Sequence, residues 1–403
     1  MKQVSRRDFA TVLGIGALAA GCGSLKQGAD DPTKTSSGTG QKGTPAKNVR
    51  NDVAIDPPPK LTSPMLSADI LVFSQTTVDK AAIERIKGIS GVEAVETFAM
   101  GSFFVAEQEV TYAAVNPATF RRFTPPGTGQ TQGVWDRVAG GEIAVDPPIA
   151  KRIEQKDGYI RLGNEADADR VHIGAYAQIL DPSKARRVNA VVNYKWIDAL
   201  EMTPDNAMMI GMGSRSPQSI LKDVKRYAGP KASVLILGPN FDIGVTQTAL
   251  LTGGSLAKAV GSFNYTANRD GTVNPDPAWV ASHIRTEEMP IIGRVTGNVA
   301  MLPQLRAALS EVVTRGLSSK IYHYDGCYVP RFIAHDPSKG LSFHTYGTAI
   351  DLNAADNYRG IAGKMDRQVV AIFKKWGFAW GGDWNYTDPM HFELARLVSA
   401  RPK

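Results

Sequence analysis

The sequence has few cysteines and no long apolar segment, and its charge is nearly balanced. Its 403 residues include two cysteines, Cys22 and Cys327, too few for a disulfide framework. The apolar run at residues 10–20 is too short for a permanent membrane-spanning helix. Residues 1–22 (three basic, one acidic) and 23–63 (six basic, four acidic) each carry +2 of the formal +7, which leaves +3 for the rest. This small excess argues against a nucleic-acid-binding protein.

Histidine is also scarce, and its distribution is uneven. Five of the six histidines follow residue 280, and two of them lie in segments with Gly, Asp and Trp at defined offsets. These segments are Ser342-Phe-His344-Thr-Tyr-Gly347-Thr-Ala-Ile-Asp351, Trp380-Gly-Gly-Asp383-Trp384 and Asp388-Pro-Met-His391-Phe-Glu393. A hydrolytic zinc site needs three protein ligands, an open position for water and a nearby base. The segments therefore predict Zn²⁺ bound by His344, Asp351 and His391, with Asp388 as the base.

The remaining histidines of this part lack such surroundings. We expect structural or surface roles for His283, His323 and His335. Because His335 lies nine residues before His344, it is the one plausible alternative ligand.

The local pattern around the predicted ligands is typical of strands. Ile350 and Leu352 alternate with Asp351, and Phe392 and Leu394 alternate with His391 in the same way. Gly347 allows a turn after His344, and Pro389 disfavours a helical conformation at Asp388. We therefore expect the ligands to project from adjacent strands rather than from one helix.

Residues from about 291 to 394 resemble the VanY-type D-alanyl-D-alanine carboxypeptidases and related L-alanyl-D-glutamate endopeptidases. The matching segments are Gly326-Cys-Tyr328-Val-Pro-Arg331 and the three segments given above. The resemblance implies the zinc-binding α+β fold that these enzymes share with the Hedgehog signalling domain. It implies His344, Asp351 and His391 as zinc ligands, Asp388 as general base and Arg331 as the residue that binds or polarises the substrate carbonyl.

The resemblance implies a zinc peptidase that cleaves peptidoglycan stem peptides, of the D-alanyl-D-alanine carboxypeptidase type. One departure keeps an L-alanyl-D-glutamate-type endopeptidase as an alternative, since VanY enzymes have Glu where this chain has Asp388. Another alternative is a non-catalytic zinc protein that binds a wall peptide. Asp388 favours catalysis, because a binding site needs no base.

Further residues near the motifs are candidates for substrate binding. We predict this role for Ser342, Tyr328 and Trp384, although structural roles explain Ser342 and Tyr328 equally well. Asp383 either orients a zinc-bound histidine or belongs to a turn after the two glycines.

The N-terminus predicts export and lipidation. Ser5-Arg6-Arg7-Asp8-Phe9 is typical of a twin-arginine signal, and Leu18-Ala-Ala-Gly-Cys22 resembles a lipoprotein cleavage box. Its leucine lies four rather than three positions before the cysteine, so an ordinary secretory signal is the alternative. Residues 1–22 are thus predicted to be a signal that leaves Cys22 lipidated, anchoring the protein to the extracytoplasmic face of the cell membrane.

The next segment, residues 23–63, is rich in Gly, Ser, Thr, Lys and Pro. Such a composition predicts a flexible tether. About 40 residues have a root-mean-square span of roughly 35 Å and a full extension of roughly 130 Å. A lipid-anchored peptidase on this tether would reach peptidoglycan.

Residues 64–240 are predicted to form a separate ferredoxin-like α+β domain. Two strand–helix–strand cycles include strands at residues 70–73, 92–95, 103–105, 190–192, 208–210 and 234–237, and a helix that begins after Ser216. The stretch loosely resembles the extracytoplasmic domains of MacB-type permeases and has one histidine, His172. We expect a spacer or a domain that binds a protein partner. Residues 241–290 are interpreted as a connection and residues 291–403 as the zinc peptidase domain, which makes the fold class α+β throughout.

Overall fold

The computed structural model describes residues 51–105, 108–163, 168–180, 188–238 and 244–399. Helices and strands alternate along these residues, which confirms the mixed α+β class. The predicted signal, Cys22 and residues 23–50 of the predicted tether lie outside the described residues. Within the described residues, none of the helices has the length and apolar character required to cross a membrane.

A nine-stranded sheet occupies the first part of the described chain. Its order is β5-β6-β4-β7-β3-β2-β8-β1-β9, and the pairs β3·β7 and β4·β6 are parallel. The strands are β1 (Ile70–Phe73), β2 (Ala94–Val105), β3 (Gln108–Val115), β4 (Ile143–Val145), β5 (Tyr159–Arg161), β6 (Arg170–Tyr176), β7 (Ala190–Asn193), β8 (Ala207–Gly211) and β9 (Ser233–Ile236).

Among the described residues, seven helices connect and cover these strands. They are α1 (Lys80–Lys87), α2 (Pro117–Phe120), α3 (Pro126–Gly129), α4 (Gln132–Ala139), α5 (Pro147–Ile153), α6 (Trp196–Ala199) and α7 (Leu221–Ala228). The first shows why such short helices form here. Asp79 accepts a hydrogen bond from the backbone N–H of Ala81 at its N-terminus, and Ile83 and Ile86 are buried one turn apart.

Two details of this region differ from the sequence-based expectation. Residues 94–95 of the first predicted strand and all of the strand predicted at residues 103–105 belong to one strand, β2, because its first half pairs with β8 and its second half with β3. The helix predicted to begin after Ser216 begins at Leu221, since Pro217–Ser219 form a 3₁₀ turn instead.

The described end of the predicted tether is bound to this region. Asn193 donates from Nδ2 to the carbonyl oxygen of Val53 (3.0 Å), and the backbone N–H of Ile55 donates to the carbonyl oxygen of Ala139 (2.8 Å). Gln132 donates to the carbonyl oxygen of Pro58 (2.7 Å). Residues 53–58 therefore have fixed partners on the elements around β7 and α4.

Residues 244–298 form two smaller sheets. The strands β10 (Gln247–Ala249), β11 (Phe263–Ala267) and β12 (Val273–Pro275) form one, and β13 (Ile284–Met289) and β14 (Gly293–Asn298) form the other, with helices α8 (Ser255–Val260) and α9 (Pro277–His283) between strands. Phe263, Trp279 and Ile284 share a hydrophobic core with residues up to Leu394. The segment predicted to be a connection thus packs with the predicted peptidase domain.

A four-stranded antiparallel sheet with the order β15-β16-β18-β17 lies nearest the C-terminus of the described chain. The elements of this part are α10 (Leu302–Thr314), β15 (Tyr324–Gly326), α11 (Phe343–Tyr346), β16 (Ala349–Leu352), α12 (Arg367–Lys375), β17 (Phe378–Trp380) and β18 (His391–Leu394). Leu305 of α10, Phe373 of α12 and Phe392 of β18 are fully buried in one core. This packing holds the sheet that carries Asp351 and His391.

Candidate metal centre

Two of the three predicted ligands lie side by side on neighbouring strands. Asp351 of β16 and His391 of β18 are direct partners in the antiparallel register, so their side chains project from the same face of the sheet. The expectation of adjacent strands is confirmed for this pair.

His344 lies on a helix instead, so the prediction that all three ligands project from strands is wrong for this residue. The one-turn helix α11 begins after Ser342, whose Oγ accepts a hydrogen bond from the backbone N–H of His344 (3.4 Å). It ends at Gly347, which has φ +66°. Glycine adopts this left-handed conformation readily, and the turn directs the chain into β16.

The three side chains converge within a small volume, in which His344 and His391 are buried and Asp351 is partly exposed. Candidate ligand atoms of His344, Asp351 and His391 all lie within 4.8 Å of one another. Asp351 Oδ2 lies 3.2 Å from His344 Nε2, and Asp351 Oδ1 lies 3.1 Å from His391 Nδ1. Ligand atoms about 2.0–2.1 Å from a tetrahedral zinc ion lie roughly 3.3 Å apart. The spacing fits a metal ion.

The outer ring nitrogens of both histidines have acceptors. His344 Nδ1 lies 2.8 Å from the carbonyl oxygen of Cys327, which can only accept, so Nδ1 carries the proton. His391 Nε2 lies 3.4 Å from Glu393 Oε2. In a histidine that binds a metal ion, each contact would hold the proton on the outer nitrogen and leave the lone pair on the nitrogen that faces Asp351.

The charges of the site also suit a cation. Burial by itself raises the pKa of Asp351, but His344 and His391 outweigh it and hold that pKa well below its usual range. Among the described residues, the side chains within ion-pair distance of the Asp351 carboxylate are these two imidazoles, which carry a charge only when protonated. The buried Nε2 of His344 faces Asp351 Oδ2 at 3.2 Å, but the two atoms are not aligned as a hydrogen bond, and Nε2 has no other hydrogen-bond partner among the described residues. A buried lone pair is costly without a partner, and a metal ion would supply one.

The predicted base, Asp388, is buried and lies next to the ligand strand. Its carbonyl oxygen accepts a hydrogen bond from the backbone N–H of His391 (3.0 Å), and its own N–H donates to the carbonyl oxygen of Gly381 (2.8 Å). A Cβ atom on Gly381 would collide with the Asp388 carbonyl oxygen. The first glycine of the Trp-Gly-Gly-Asp-Trp segment is therefore needed for this close approach.

The predicted substrate-binding residues have different surroundings. The Trp384 ring lies 5.3 Å from the His391 ring, which places it beside the metal centre. Ser342 is buried and caps α11, a structural role. Tyr328 is half-buried, and burial raises the pKa of its phenol.

Arg331 contacts α11 mainly through its backbone. Its N–H donates to Thr345 Oγ1 (2.8 Å), and its carbonyl oxygen accepts from the same hydroxyl (2.7 Å). Its guanidinium Nη1 lies 3.5 Å from the carbonyl oxygen of Phe332. The structure thus places Arg331 next to α11, and none of its described contacts reaches a predicted ligand.

The alternatives that the sequence left open have other partners. His335 is exposed and lies 3.1 Å from the carbonyl oxygen of Asp270, outside the ligand group. Asp383 ends a 3₁₀ turn and pairs with Lys374 at 2.5 Å, on the exposed surface. The turn explains Asp383 better than orientation of a histidine does.

Glu393 is a site residue that the sequence analysis missed. Only 5% of it is exposed, and its carboxylate is the partner of His391 Nε2. The sequence contains a signal for the position of Glu393, because residues i and i+2 of a strand lie on the same face. The alternation that places His391 on the site face also places Glu393 there.

Comparison with known families supports a peptidase at the C-terminus. Residues 336–394 match the peptidase M15 family described as D-alanyl-D-alanine carboxypeptidase. The matched stretch contains all three candidate ligands, Asp388 and Glu393. This part of the chain is therefore similar to a family of D-alanyl-D-alanine carboxypeptidase-like peptidases.

Two solved structures are each similar to less than half of the chain. The periplasmic region of MacB from Actinobacillus actinomycetemcomitans is 7% identical, covers 42% of this chain and 88% of its own, and has a TM-score of 0.25. A domain described as a permease protein from Porphyromonas gingivalis is 14% identical, covers 44% and 92%, and has a TM-score of 0.24. Both are of the kind that the sequence resemblance named, but at these scores they carry no functional argument.

Proposed function

We propose that this protein is a zinc-dependent peptidase that cleaves peptidoglycan stem peptides, of the D-alanyl-D-alanine carboxypeptidase type. The observation that carries the proposal is the convergence of His344, Asp351 and His391, together with a buried Asp388 three residues before His391 in the chain. Three protein ligands leave a tetrahedral ion one open position, which distinguishes a catalytic zinc site from a closed structural one. The similarity of residues 336–394 to a peptidase family supports the same conclusion.

The residues of this chain have separate tasks in the proposed reaction. A zinc ion held by the three ligands would polarise the scissile carbonyl and lower the pKa of water. Asp388 takes the proton from the attacking water and returns it to the leaving amine. Arg331 stabilises the negative charge that develops on the carbonyl oxygen. Glu393 keeps the His391 ring in the orientation that its ligand role needs.

Two alternatives follow from the residue at position 388. An L-alanyl-D-glutamate-type endopeptidase is favoured by aspartate where VanY enzymes have glutamate. A non-catalytic wall-peptide-binding protein would use the same metal site without turnover, but it gives no reason for a buried carboxylate three residues before His391. Digestion of defined muropeptides, with the products identified by mass spectrometry, distinguishes release of terminal D-alanine from cleavage after L-alanine.

The test of catalysis is Asp388→Asn, which keeps the size of the side chain and removes its basicity. Loss of a general base costs about a hundred- to ten-thousand-fold in rate, and we expect hydrolysis to fall by that factor while zinc content stays unchanged. Asp383→Asn is the matched control, since Asp383 is an exposed aspartate nearby. The proposal fails if the wild type binds muropeptides without cleaving them, or if the Asp388 variant cleaves at the wild-type rate.

For the remaining regions we propose finer assignments. The four-stranded sheet that carries Asp351 and His391 supports a Hedgehog-type zinc fold. The partial order β2-β8-β1-β9, with α1 and α7 between its strands, supports a ferredoxin-like half within the larger sheet. We propose that residues 64–240 act as a spacer or bind a protein partner.

We also propose that the protein is exported by the twin-arginine route and anchored by a lipid on Cys22. The support is the Arg6-Arg7 pair and the box that ends at Cys22. Cys22→Ser is expected to move the protein from the membrane fraction to the soluble extracytoplasmic fraction, with peptidase activity unchanged. A membrane-bound Cys22→Ser variant would disprove the anchor.

A further inference from the structure

The hairpin formed by β2 and β3 contacts the segment that carries His344. Phe104, near the end of β2, is 1% exposed and belongs to the C-terminal hydrophobic core rather than to the cores of the nine-stranded sheet. The centre of its ring lies 4.4 Å from that of Phe343 and 5.7 Å from that of Tyr346. Both partners belong to α11, on either side of His344.

Glu109, near the start of β3, adds a polar contact to the same segment. Its Oε2 accepts a hydrogen bond from the backbone N–H of Leu341 (3.0 Å), three residues before His344, and Glu109 is 6% exposed. Gly340 has φ +82°, and a Cβ atom there would collide with Glu109 Oε2 and lie 2.8 Å from Glu109 Cβ. The chain approaches Glu109 so closely that only glycine fits.

The one-turn helix α11, which carries His344, is too short to be stable by itself. A single helical turn fixes several backbone dihedrals for very few hydrogen bonds, so α11 depends on contacts with its surroundings. Asn298 supplies one by donating to the carbonyl oxygen of Tyr346 (3.0 Å), and Cys327 supplies another by accepting from His344 Nδ1 (2.8 Å). The hairpin supplies Phe104 and Glu109 from a different part of the chain.

We propose that Phe104 and Glu109 are positioning residues of the metal centre. They fix the start and one side of α11, so that His344 Nε2 faces Asp351. The proposal rests on the proposed zinc site. It assigns to the nine-stranded sheet a role in setting zinc affinity, because a ligand displaced by about half an ångström binds metal less well.

The test compares neighbouring phenylalanines in the full-length protein. Phe104→Leu changes the contact with α11, whereas Phe103→Leu changes a ring of equal burial whose edge contact is with Tyr112 of β3 (5.5 Å). Zinc affinity is measured by competition with a chelator, and the metal-free melting temperature reports stability. We expect zinc binding about tenfold weaker in Phe104→Leu, and within about twofold of wild type in Phe103→Leu, with similar losses of melting temperature.

A second pair of variants tests the polar contact without touching the aromatic core. Glu109→Ala is expected to weaken zinc binding about tenfold, and Glu109→Gln, which keeps an acceptor oxygen for Leu341, is expected to restore most of it. Gly340→Ala should resemble Glu109→Ala. Gly316→Ala is its control, since Gly316 has φ +71° and a Cβ atom added there would meet no atom of the described residues within 4 Å.

The outcomes separate this inference from the proposed function. Zinc binding by the wild type that is lost in His344→Ala supports the metal site. If Phe104→Leu and Glu109→Ala then bind zinc as tightly as the wild type, the positioning role is disproved while the site stands. If the wild type binds no zinc, both the proposed function and the inference fail.

Discussion

Within the described residues, a largely buried carboxylate contacts histidine in the C-terminal sheet and again beside the nine-stranded sheet, and the two carboxylates differ in their second partner. In the C-terminal sheet, Asp351 lies between the imidazoles of His344 and His391. Next to the nine-stranded sheet, Glu142, the residue before β4, is 2% exposed and contacts His172 Nδ1 of β6 at 2.7 Å. Histidine–carboxylate proximity by itself therefore does not distinguish the two sites.

The second partner of each carboxylate distinguishes the two sites. Arg137 Nη1 lies 3.1 Å from both carboxylate oxygens of Glu142, so a permanent cation already neutralises that charge. A Cβ atom on Gly174 would lie 2.7–2.8 Å from Glu142, which leaves little room beside the carboxylate. Asp351 has imidazoles instead, which can offer lone pairs to a metal ion. Among its described ion-pair contacts, Asp351 thus has no permanent cation, and its charge is left for a metal ion to balance.

The largest effect on zinc content is expected from removing a candidate ligand of the C-terminal sheet, and His172 next to Glu142 serves as the comparison. His344→Ala, Asp351→Ala and His391→Ala each remove one of three ligands, so we expect bound zinc to fall from about one ion per chain to nearly none and hydrolysis to be abolished. His172→Ala is the matched change in the other region and should keep full zinc content. Elemental analysis after dialysis measures both.

Two results would contradict the difference expected between the two sites. Full metal retention in all three C-terminal variants would disprove the ligand assignment. Loss of zinc in a folded His172→Ala protein would mean that the Glu142 region also holds metal.

A smaller effect is expected from Glu393, which contacts a ligand without being one. Glu393→Ala removes the carboxylate next to His391 Nε2, and losing such a partner typically weakens metal binding about 10–100-fold. Glu393→Gln retains an acceptor oxygen and should lie between the wild type and the alanine variant. Chelator competition measures the affinities, and equal zinc affinity in all three proteins would exclude a role for Glu393 in orienting His391.

The smallest effect is expected at Arg137, and it should appear in stability rather than in metal binding. Breaking a fully buried ion pair costs about 3–5 kcal/mol, but 31% of the Arg137 side chain is exposed. Solvent screens such a pair, so Arg137→Ala should lower the free energy of unfolding by about 1–2 kcal/mol. Urea denaturation of the metal-free protein measures this change, and zinc content should equal that of the wild type.

Much of the C-terminal site could be predicted because strand periodicity is a local property. The alternation around Asp351 and His391 places both side chains on one face of adjacent strands, as the register of β16 and β18 has them. The same alternation contained the information for Glu393, which was missed because a carboxylate after a ligand has several possible roles. The strand prediction is wrong for His344, because a helix of four residues is too short for a helical period to be visible in the sequence.

The length of β2 and the contacts of the β2–β3 hairpin with α11 could not be predicted from local sequence. Local sequence suggested two short strands, whereas β2 is continuous because it has different partners along its length. Nothing in the sequence around Phe104 or Glu109 indicates that their partners, Phe343 and Leu341, are 239 and 232 residues away. Such contacts depend on how the whole chain folds.

The sequence by itself determined the mixed α+β class and the residue types and spacing of a candidate metal site, since these follow from side-chain chemistry and short-range periodicity. Only the tertiary structure decided that His344 lies on a helical turn, that Glu393 contacts His391, and that Phe104 and Glu109 of a distant hairpin contact the segment around this turn. The physical reason is that a one-turn helix has almost no stability of its own. Its position is set by side chains that are remote in sequence and adjacent only after folding.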